Sequence, residues 1–373
     1  MHLLMIGPDW GATWRFRADL VRDMIAAGWK VTITAGGGEG DGVDRLRALG
    51  ATCIDIGWTR TAIAPWGDLR CTVQIARLCR RLKPDGVLAF TVKPATFGVI
   101  GARLAGVRNI AAMITGVGYA LMDGVETKRR IVRMAVTALY RLALHGARTL
   151  IFQNDDDRAD FQRLGLSQAH TRTVRVNGSG VDLSHFARKP LPEGPLRFVM
   201  VARLLREKGV HEFVNAARLV RQTRRDVVFD LVGPLDQNPT ALSAEEVRAL
   251  EAEGVVVYHG GQSDVRPFLE RAHVFVLPSY REGTPRSALE ALSVGRPVLA
   301  CDVPGSREVV IPGETGLLVE VRSAEAVADG MRWFLALDRD KLVRMSDAAR
   351  QDALRRFDVH QVNARIMDAI ESR

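Results

Sequence analysis

Two carboxylates, Glu282 and Glu290, stand in the stretch Val274–Pro297, VFVLPSYREGTPRSALEALSVGRP. Carboxylates accept hydrogen bonds from hydroxyls, so a ribose or a sugar suits them better than a phosphate does. Upstream, VARLLREKGVHEF carries two cations, Arg203 and Lys208. Arginine can take a diphosphate bidentately and lysine as a point charge, and both can stabilise charge that develops on a departing diphosphate. The plain alternative is a pair of surface acids on one loop and a pair of surface cations on another.

Position favours the chemical reading. Val274–Pro278 is a short apolar run of the kind that forms a buried parallel strand. Ser279–Thr284 is a polar turn, after which Thr284 is expected to cap a helix and Pro285 to occupy its first turn. That helix reads Arg286–Val294 and should stop near Gly295 and Pro297. Strand, turn and helix N-terminus in series bring backbone N–H groups to the carboxyl edge of a sheet, where α/β proteins bind phosphate. Arg203 and Lys208 follow the first strand of the second half, LRFVMVA, at the same edge.

The remaining chain supplies that sheet and a second one. In the first half, strands such as MHLLMIG, KVTITA, GVLAF, NIAAMIT and TLIFQN alternate with helices, among them Phe16–Ala27, Val43–Leu49, Leu69–Leu82, Thr96–Ala105, Lys128–Ala147 and Asp156–Gly165. Phe186–Pro195, rich in proline and charge, reads as a linker. The pattern then restarts, with helices Val210–Gln222, Ala244–Glu253, Val265–Arg271, a short one near Arg307, and Ala324–Leu337. Repeated β-α units imply an α/β fold of two doubly wound Rossmann-like domains. The expected boundaries are 1–187 and 195–358, with a terminal helix in 359–373 packing back on the first domain.

Composition narrows the function classes. The chain has 373 residues, 47% apolar and 25% charged, with no apolar run of the roughly 18 residues that a membrane span needs. MHLLMIGPDW reads as a first strand rather than a signal peptide, and Cys53, Cys71, Cys79 and Cys301 lack metal-ligand spacing, so reduced thiols in a cytoplasm are expected. Net charge is +9, and residues 1–190 carry 27 Lys and Arg against 16 Asp and Glu. That half should face something anionic. In Lys128–Arg148, Arg129, Arg133, Arg141 and His145 recur at helical spacing, with Arg130 widening the stripe. It reads either as a solvated face or as a membrane-surface contact. Five tryptophans, Trp10, Trp14, Trp29, Trp58 and Trp66, lie in the first 66 residues, which fits an interface or a core. Nucleic acid is not expected, because no recognition module interleaves aromatics with basic residues.

Other motifs point elsewhere. GGGEGDG (Gly36–Gly42) follows the second strand, not the first, and reads as a flexible loop. The first strand runs instead into GPDWGATWRFR, where Gly7 and Gly11 permit close approach of a ligand and Arg15 and Arg17 add charge. Asp155, Asp156 and Asp157 open a helix, so they are read as capping and dipole-complementing acids rather than metal ligands. No catalytic metal is expected.

The Glu-x7-Glu arrangement inside REGTPRSALEA, with NGSGVDLSHF, LVGPLDQNP, GGQSDVRPFL and DVPGSREVV, resembles the retaining family 4 glycosyltransferases over almost the whole chain. VARLLREKG resembles that family's Gly-Arg…Lys-Gly element, with Ala202 replacing the usual glycine. FTVKPATFG, MITGVGYA and the Phe16-Arg17 pair are similar to the bacterial enzymes that build lipid-linked oligosaccharides, N-acetylgalactosaminyltransferases acting on undecaprenyl-diphosphate sugars among them.

The resemblance implies the glycosyltransferase B architecture, with a cleft between its domains. It further implies a UDP-sugar donor, a polyprenyl-diphosphate-linked sugar acceptor, no cofactor, and a cytoplasmic enzyme held peripherally at the anionic inner membrane. It also implies that Glu290 holds the ribose, Glu282 the donor-sugar hydroxyls, and Arg203 and Lys208 the diphosphate. Backbone N–H groups of Gly283, Thr284, Pro285-linked backbone and Arg286 would touch sugar and phosphate, Gly7 and Gly11 would border the donor, and Arg17 and Lys93 would meet the acceptor. Many members carry a histidine where this chain reads Thr115-Gly116-Val117-Gly118-Tyr119, so no histidine can be assigned a catalytic role there. A UDP-sugar epimerase on the same fold and a non-catalytic UDP-sugar-binding subunit remain the alternatives.

Overall fold

The apolar run His2–Ile6 forms β1, flanked in parallel by β2 (Lys30–Ala35) and β4 (Gly86–Phe90). This computed structural model describes residues 1–38, 40–57, 65–116, 127–168, 171–236 and 238–371, without the side chains of 65, 127–133, 135 and 136. Two units are resolved, Met1–Ser179 with Val359–Arg373, and Gly180–Asp358.

The first unit is built on a seven-stranded parallel sheet. Its other strands are β3 (Thr52–Asp55), β5 (Ile110–Ile114), β6 (Thr149–Phe152) and β7 (Arg172–Arg175), in the order β3-β2-β1-β4-β5-β6-β7. Alternate residues of β1 serve opposite faces. Leu3 and Met5 pack with Leu20, Val21 and Met24 of α1 (Trp10–Ala26) and with Val362 and Ile366 of the last helix, α13 (Val359–Glu371). Leu4 and Ile6 pack with Ile75 and Leu78 of α3 (Pro65–Leu82), Val99 and Ala102 of α4 (Val99–Leu104) and Tyr140 and Leu144 of α5 (Thr127–Leu144). Helices on both faces explain why the central strands are continuously apolar. α2 (Asp41–Ala48) and α6 (Asp155–Arg163) complete the unit.

The second unit repeats the plan with six parallel strands, β10-β9-β8-β11-β12-β13. In chain order these are β8 (Arg197–Val201), β9 (Val228–Val232), β10 (Val257–Tyr258), β11 (Val274–Leu277), β12 (Val298–Cys301) and β13 (Gly316–Val319). Phe198, Phe229 and Val276 bury one face against α7 (Val210–Arg221), α8 (Ala244–Glu253) and α11 (Ala324–Leu335). Val199, Phe275 and Leu277 bury the other against α9 (Arg266–Glu270) and α10 (Arg286–Val294).

Several expectations are corrected. α1 begins at Trp10, not Phe16, because Asp9 caps it, its Oδ1 accepting the Ala12 N–H at 2.6 Å. A π-helical turn, Pro94–Gly98, precedes α4. The region near Arg307 is a run of turns, and α12 (Arg339–Asp352), not anticipated, packs on α10. Phe186–Pro195 is no free linker: Phe186 and Leu191 are buried in the second unit. Its carbonyls at Lys189 and Pro190 accept hydrogen bonds from the wholly buried Arg296 at 3.1 and 3.0 Å. Proline and charge mark irregular backbone there, not a boundary.

Candidate active site

In the second sheet, strand order reverses between β8 and β11, the switch point at whose carboxyl edge ligands bind in doubly wound proteins. Both candidate loops leave from those two strands. After β8 the chain runs through Ala202 and Arg203 to a 3₁₀ turn, Arg206–Lys208, which Gly209 ends with a left-handed φ of 75°. A Cβ on Gly209 would sit 2.1 Å from the Pro278 carbonyl oxygen, so glycine lets this loop lie against the end of β11. The Tyr280 N–H donates to the Glu207 carbonyl at 2.9 Å, and the Tyr280 hydroxyl donates to Glu212 Oε1 at 2.7 Å. Burial, then the Glu212 carboxylate, pushes the Tyr280 phenol up to about 12, which keeps it a donor.

The turn that bears Glu282 is backed from the other side. Its N–H donates to the Pro304 carbonyl at 3.1 Å. A Cβ on Gly305, whose φ is 82°, would fall 2.4 Å from the Glu282 oxygen and 2.5 Å from that of Gly283. Glu282 thus reaches Lys208, with Oε1 and Nζ 2.6 Å apart and both side chains largely buried. Glu290, one turn into α10, accepts from Arg286 Nε at 3.1 Å. Arg203 donates through Nη1 to Asp236 at 2.8 Å. One correction concerns the cap: Pro285, not Thr284, holds the N-cap position, and its ring offers no cap hydrogen bond. Gly283, Thr284, Pro285 and Arg286 form the approach to that helix end, where N–H groups lack intrahelical partners.

The first unit has its own switch point, between β1 and β4. Gly7 follows β1, but its missing side chain serves the protein itself: a Cβ would lie 2.3 Å from Thr13 Oγ1 and 2.8 Å from the Phe90 ring. Gly11 is exposed in the first turn of α1, where a Cβ would meet nothing nearer than Asp9 Oδ1 at 3.5 Å. Arg17 is buried, its guanidinium 5.3 Å from the Phe90 centroid and donating to Ser179 Oγ at 3.0 Å. Lys93 follows β4 and pairs with the buried Asp68 at 2.8 Å. Beside it, Thr91 holds a φ of 70°, a left-handed conformation that β-branched residues rarely adopt. Thr115 and Gly116 follow β5, and the rest of that candidate loop lies outside the described residues.

The aspartate triplet occupies the first turn of α6, where it complements the dipole. The cap is Asn154, whose side chain accepts from the Asp157 N–H at 2.7 Å. Among the described residues no group of three or more His, Cys, Asp or Glu is placed to hold a metal. In the expected basic stripe, Arg141 donates to the Leu164 and Gly165 carbonyls, tying α5 to α6, while the side chains of Arg129, Arg130 and Arg133 lie outside the described residues, as does Trp58. Sequence reading missed Asp236, Glu212 and Tyr280. Their types carry no periodic signal, and only the fold brings them to Arg203 and the Glu282 turn.

Two doubly wound parallel sheets with this site at the second switch point define the glycosyltransferase B class. Residues 182–352 match the glycosyl transferases group 1 and residues 11–177 the glycosyl transferase 4-like domain, so the chain belongs to these glycosyltransferases. Over 324 residues it is 29% identical to the N,N'-diacetylbacillosaminyl-diphospho-undecaprenol alpha-1,3-N-acetylgalactosaminyltransferase of Campylobacter jejuni, covering 83% of each chain. It is 25% identical over 281 residues to the UDP-Gal:alpha-D-GlcNAc-diphosphoundecaprenol alpha-1,3-galactosyltransferase of Escherichia coli, covering 71% of this chain and 70% of that one. Among solved structures it resembles Anabaena Alr3699/HepE in complex with UDP-glucose (TM-score 0.77, 18% identity, all of both chains). It also resembles the sucrose-phosphate synthase of Thermosynechococcus elongatus (TM-score 0.80, 20% identity, 99% of this chain and 98% of that one).

Proposed function

We propose that this glycosyltransferase moves an N-acetylhexosamine, first of all N-acetylgalactosamine, from a UDP-sugar to an undecaprenyl-diphosphate-linked sugar, with retention and without a metal. The setting is bacterial surface-glycan or glycoprotein-glycan assembly. The activities for which the Campylobacter and Escherichia relatives are named support the acceptor class.

The observation that carries the reading is the Lys208–Glu282 contact at the β8/β11 switch point. An ammonium has three donors, so Lys208 can hold Glu282 and a phosphate oxygen together. Arg203 uses Nη1 on Asp236 and has further N–H groups for the same diphosphate. Glu282 then accepts from donor-sugar hydroxyls and Glu290 from the ribose. In the step itself, the bond from the anomeric carbon to the UDP oxygen breaks. The bond to the acceptor oxygen forms on the same face, and the acceptor proton passes to the departing phosphate. That route needs no protein base. Arg203 and Lys208 supply the positive charge that the leaving diphosphate requires.

The test is UDP release from a panel of UDP-sugars, with and without undecaprenyl-diphosphate sugars, in EDTA. Release that requires one donor and the lipid acceptor, with an α-configured product, is expected. Binding of UDP without release from any pair would favour a non-catalytic subunit, and epimerised sugar without acceptor would favour an epimerase.

A further inference from the structure

α3 shows solvent an unusual face. Trp66, Leu69 and Val73, at i, i+3 and i+7, are 81%, 52% and 39% exposed. They form one stripe over the first two turns of the helix. Further along, Arg77, Arg80 and Arg81 are exposed, and Arg70 is exposed beside the stripe. The opposite face is ordinary core, with Cys71, Ile75, Leu78 and Cys79 buried. The sole acid of α3, Asp68, is buried and paired with Lys93, so the outward face carries four arginines and no carboxylate.

A second element extends the surface. Arg80 donates through Nη2 to the Leu104 carbonyl at 3.0 Å, which brings the end of α4 to this side. Leu104 is itself 61% exposed, and Arg103 before it is exposed.

A solvated helix face normally mixes acids with bases and does not hold an indole in water. Large apolar side chains beside arginines without acids match instead the headgroup boundary of an anionic bilayer. There an indole sits at the interface, aliphatic side chains enter below it, and guanidinium groups meet lipid phosphates.

We propose that the outward face of α3, with the end of α4, is a docking surface for an anionic lipid bilayer. The inference deepens the reading of a lipid-linked acceptor by assigning the membrane contact to particular residues. It is distinct from the expected stripe, which lies on another helix, α5.

The test is flotation of the full chain with vesicles of phosphatidylglycerol and phosphatidylcholine in equal parts, against phosphatidylcholine alone. The wild type should float with the anionic vesicles only, less so in high salt, and its tryptophan emission should shift to the blue. Trp66→Phe should abolish most of that shift. A Trp66→Ser/Leu69→Ser/Val73→Ser chain, and separately an Arg77→Glu/Arg81→Glu chain, should partition about tenfold less or weaker still. Both should keep the wild-type melting temperature and wild-type transfer to a short-chain, water-soluble acceptor. The proposal is overturned if the wild type does not float or if both variants float as it does. It is equally overturned if the serine variant instead abolishes a concentration-dependent dimer of a wild type that ignores vesicles. Flotation is read without turnover, so absence of transfer with every acceptor would strike the proposed activity and leave this surface standing.

Discussion

Nζ of Lys208 lies 2.6 Å from Oε1 of Glu282, although the two residues are 74 positions apart in the chain. One belongs to the loop after β8 and the other to the loop after β11, so the contact ties together the two loops that border the switch point. Lys208→Met should lower kcat by about 100- to 1000-fold, the range for losing one preorganised group at a developing charge. Glu282→Gln keeps the shape and loses the charge, and should cost about 10- to 100-fold in kcat/KM for the donor. Steady-state kinetics with each substrate varied would check both. An alanine at 282 that turns over undiminished would remove this carboxylate from the site.

Gly305 supports the Glu282 turn without facing it by side chain. Alanine there would place a methyl 2.4 Å from the Glu282 carbonyl oxygen, at a φ of 82°. Gly305→Ala should therefore raise KM for the donor by about tenfold or more through a displaced turn. Titration calorimetry with UDP would show whether the loss lies in binding.

Arg296 is an unpaired-by-carboxylate arginine in the core. Its guanidinium donates to the carbonyls of Leu269, Lys189, Gly295, Pro190 and Glu270, and burial draws its pKa down to about 10. Arg296→Met would leave those buried acceptors without their donor, each worth about 1–3 kcal/mol when unmet. A marked fall in melting temperature is expected, together with early protease cleavage near Lys189 and Pro190, which Arg296 otherwise holds down.

His273 links pH to stability. Its Nδ1 accepts from the Arg197 N–H at 3.1 Å and its Nε2 faces the Pro192 carbonyl at 3.1 Å, so the ring is the neutral Nε2–H tautomer. Burial pushes its pKa down to about 4. The unfolded chain takes up this proton near the ordinary histidine value of about 6.5, before the folded chain does. The stability that His273 contributes is thus full above that value and is lost as pH falls toward about 4. Chemical denaturation across that window should show the loss, and His273→Gln should flatten it.

Periodicity and strand-ending residues carried much of the fold into view. Alternating apolar runs and helical spacing announced two parallel sheets, and the Val274–Pro297 stretch announced a strand, a turn and a helix in the right order. Capping was less legible. Asp9 and Asn154 each cap the helix that follows, while at α10 the cap position falls to Pro285 rather than Thr284. A residue that can cap does so only if the local backbone aims it at the free N–H groups.

The sequence by itself determined the alternation of strands and helices, the residue types at the switch point of the second sheet and the basic bias of the first half, because these are properties of local patterns and of composition. Tertiary structure decided which of those residues meet. It joined Lys208 to Glu282 and Arg203 to Asp236, and it buried Arg17 against Phe90 and gave Lys93 to Asp68. It also left Trp66 in solvent while folding Phe186 and Leu191 into a core. Each outcome depends on contacts between segments far apart in the chain, where packing and charge pairing override what neighbouring residues announce.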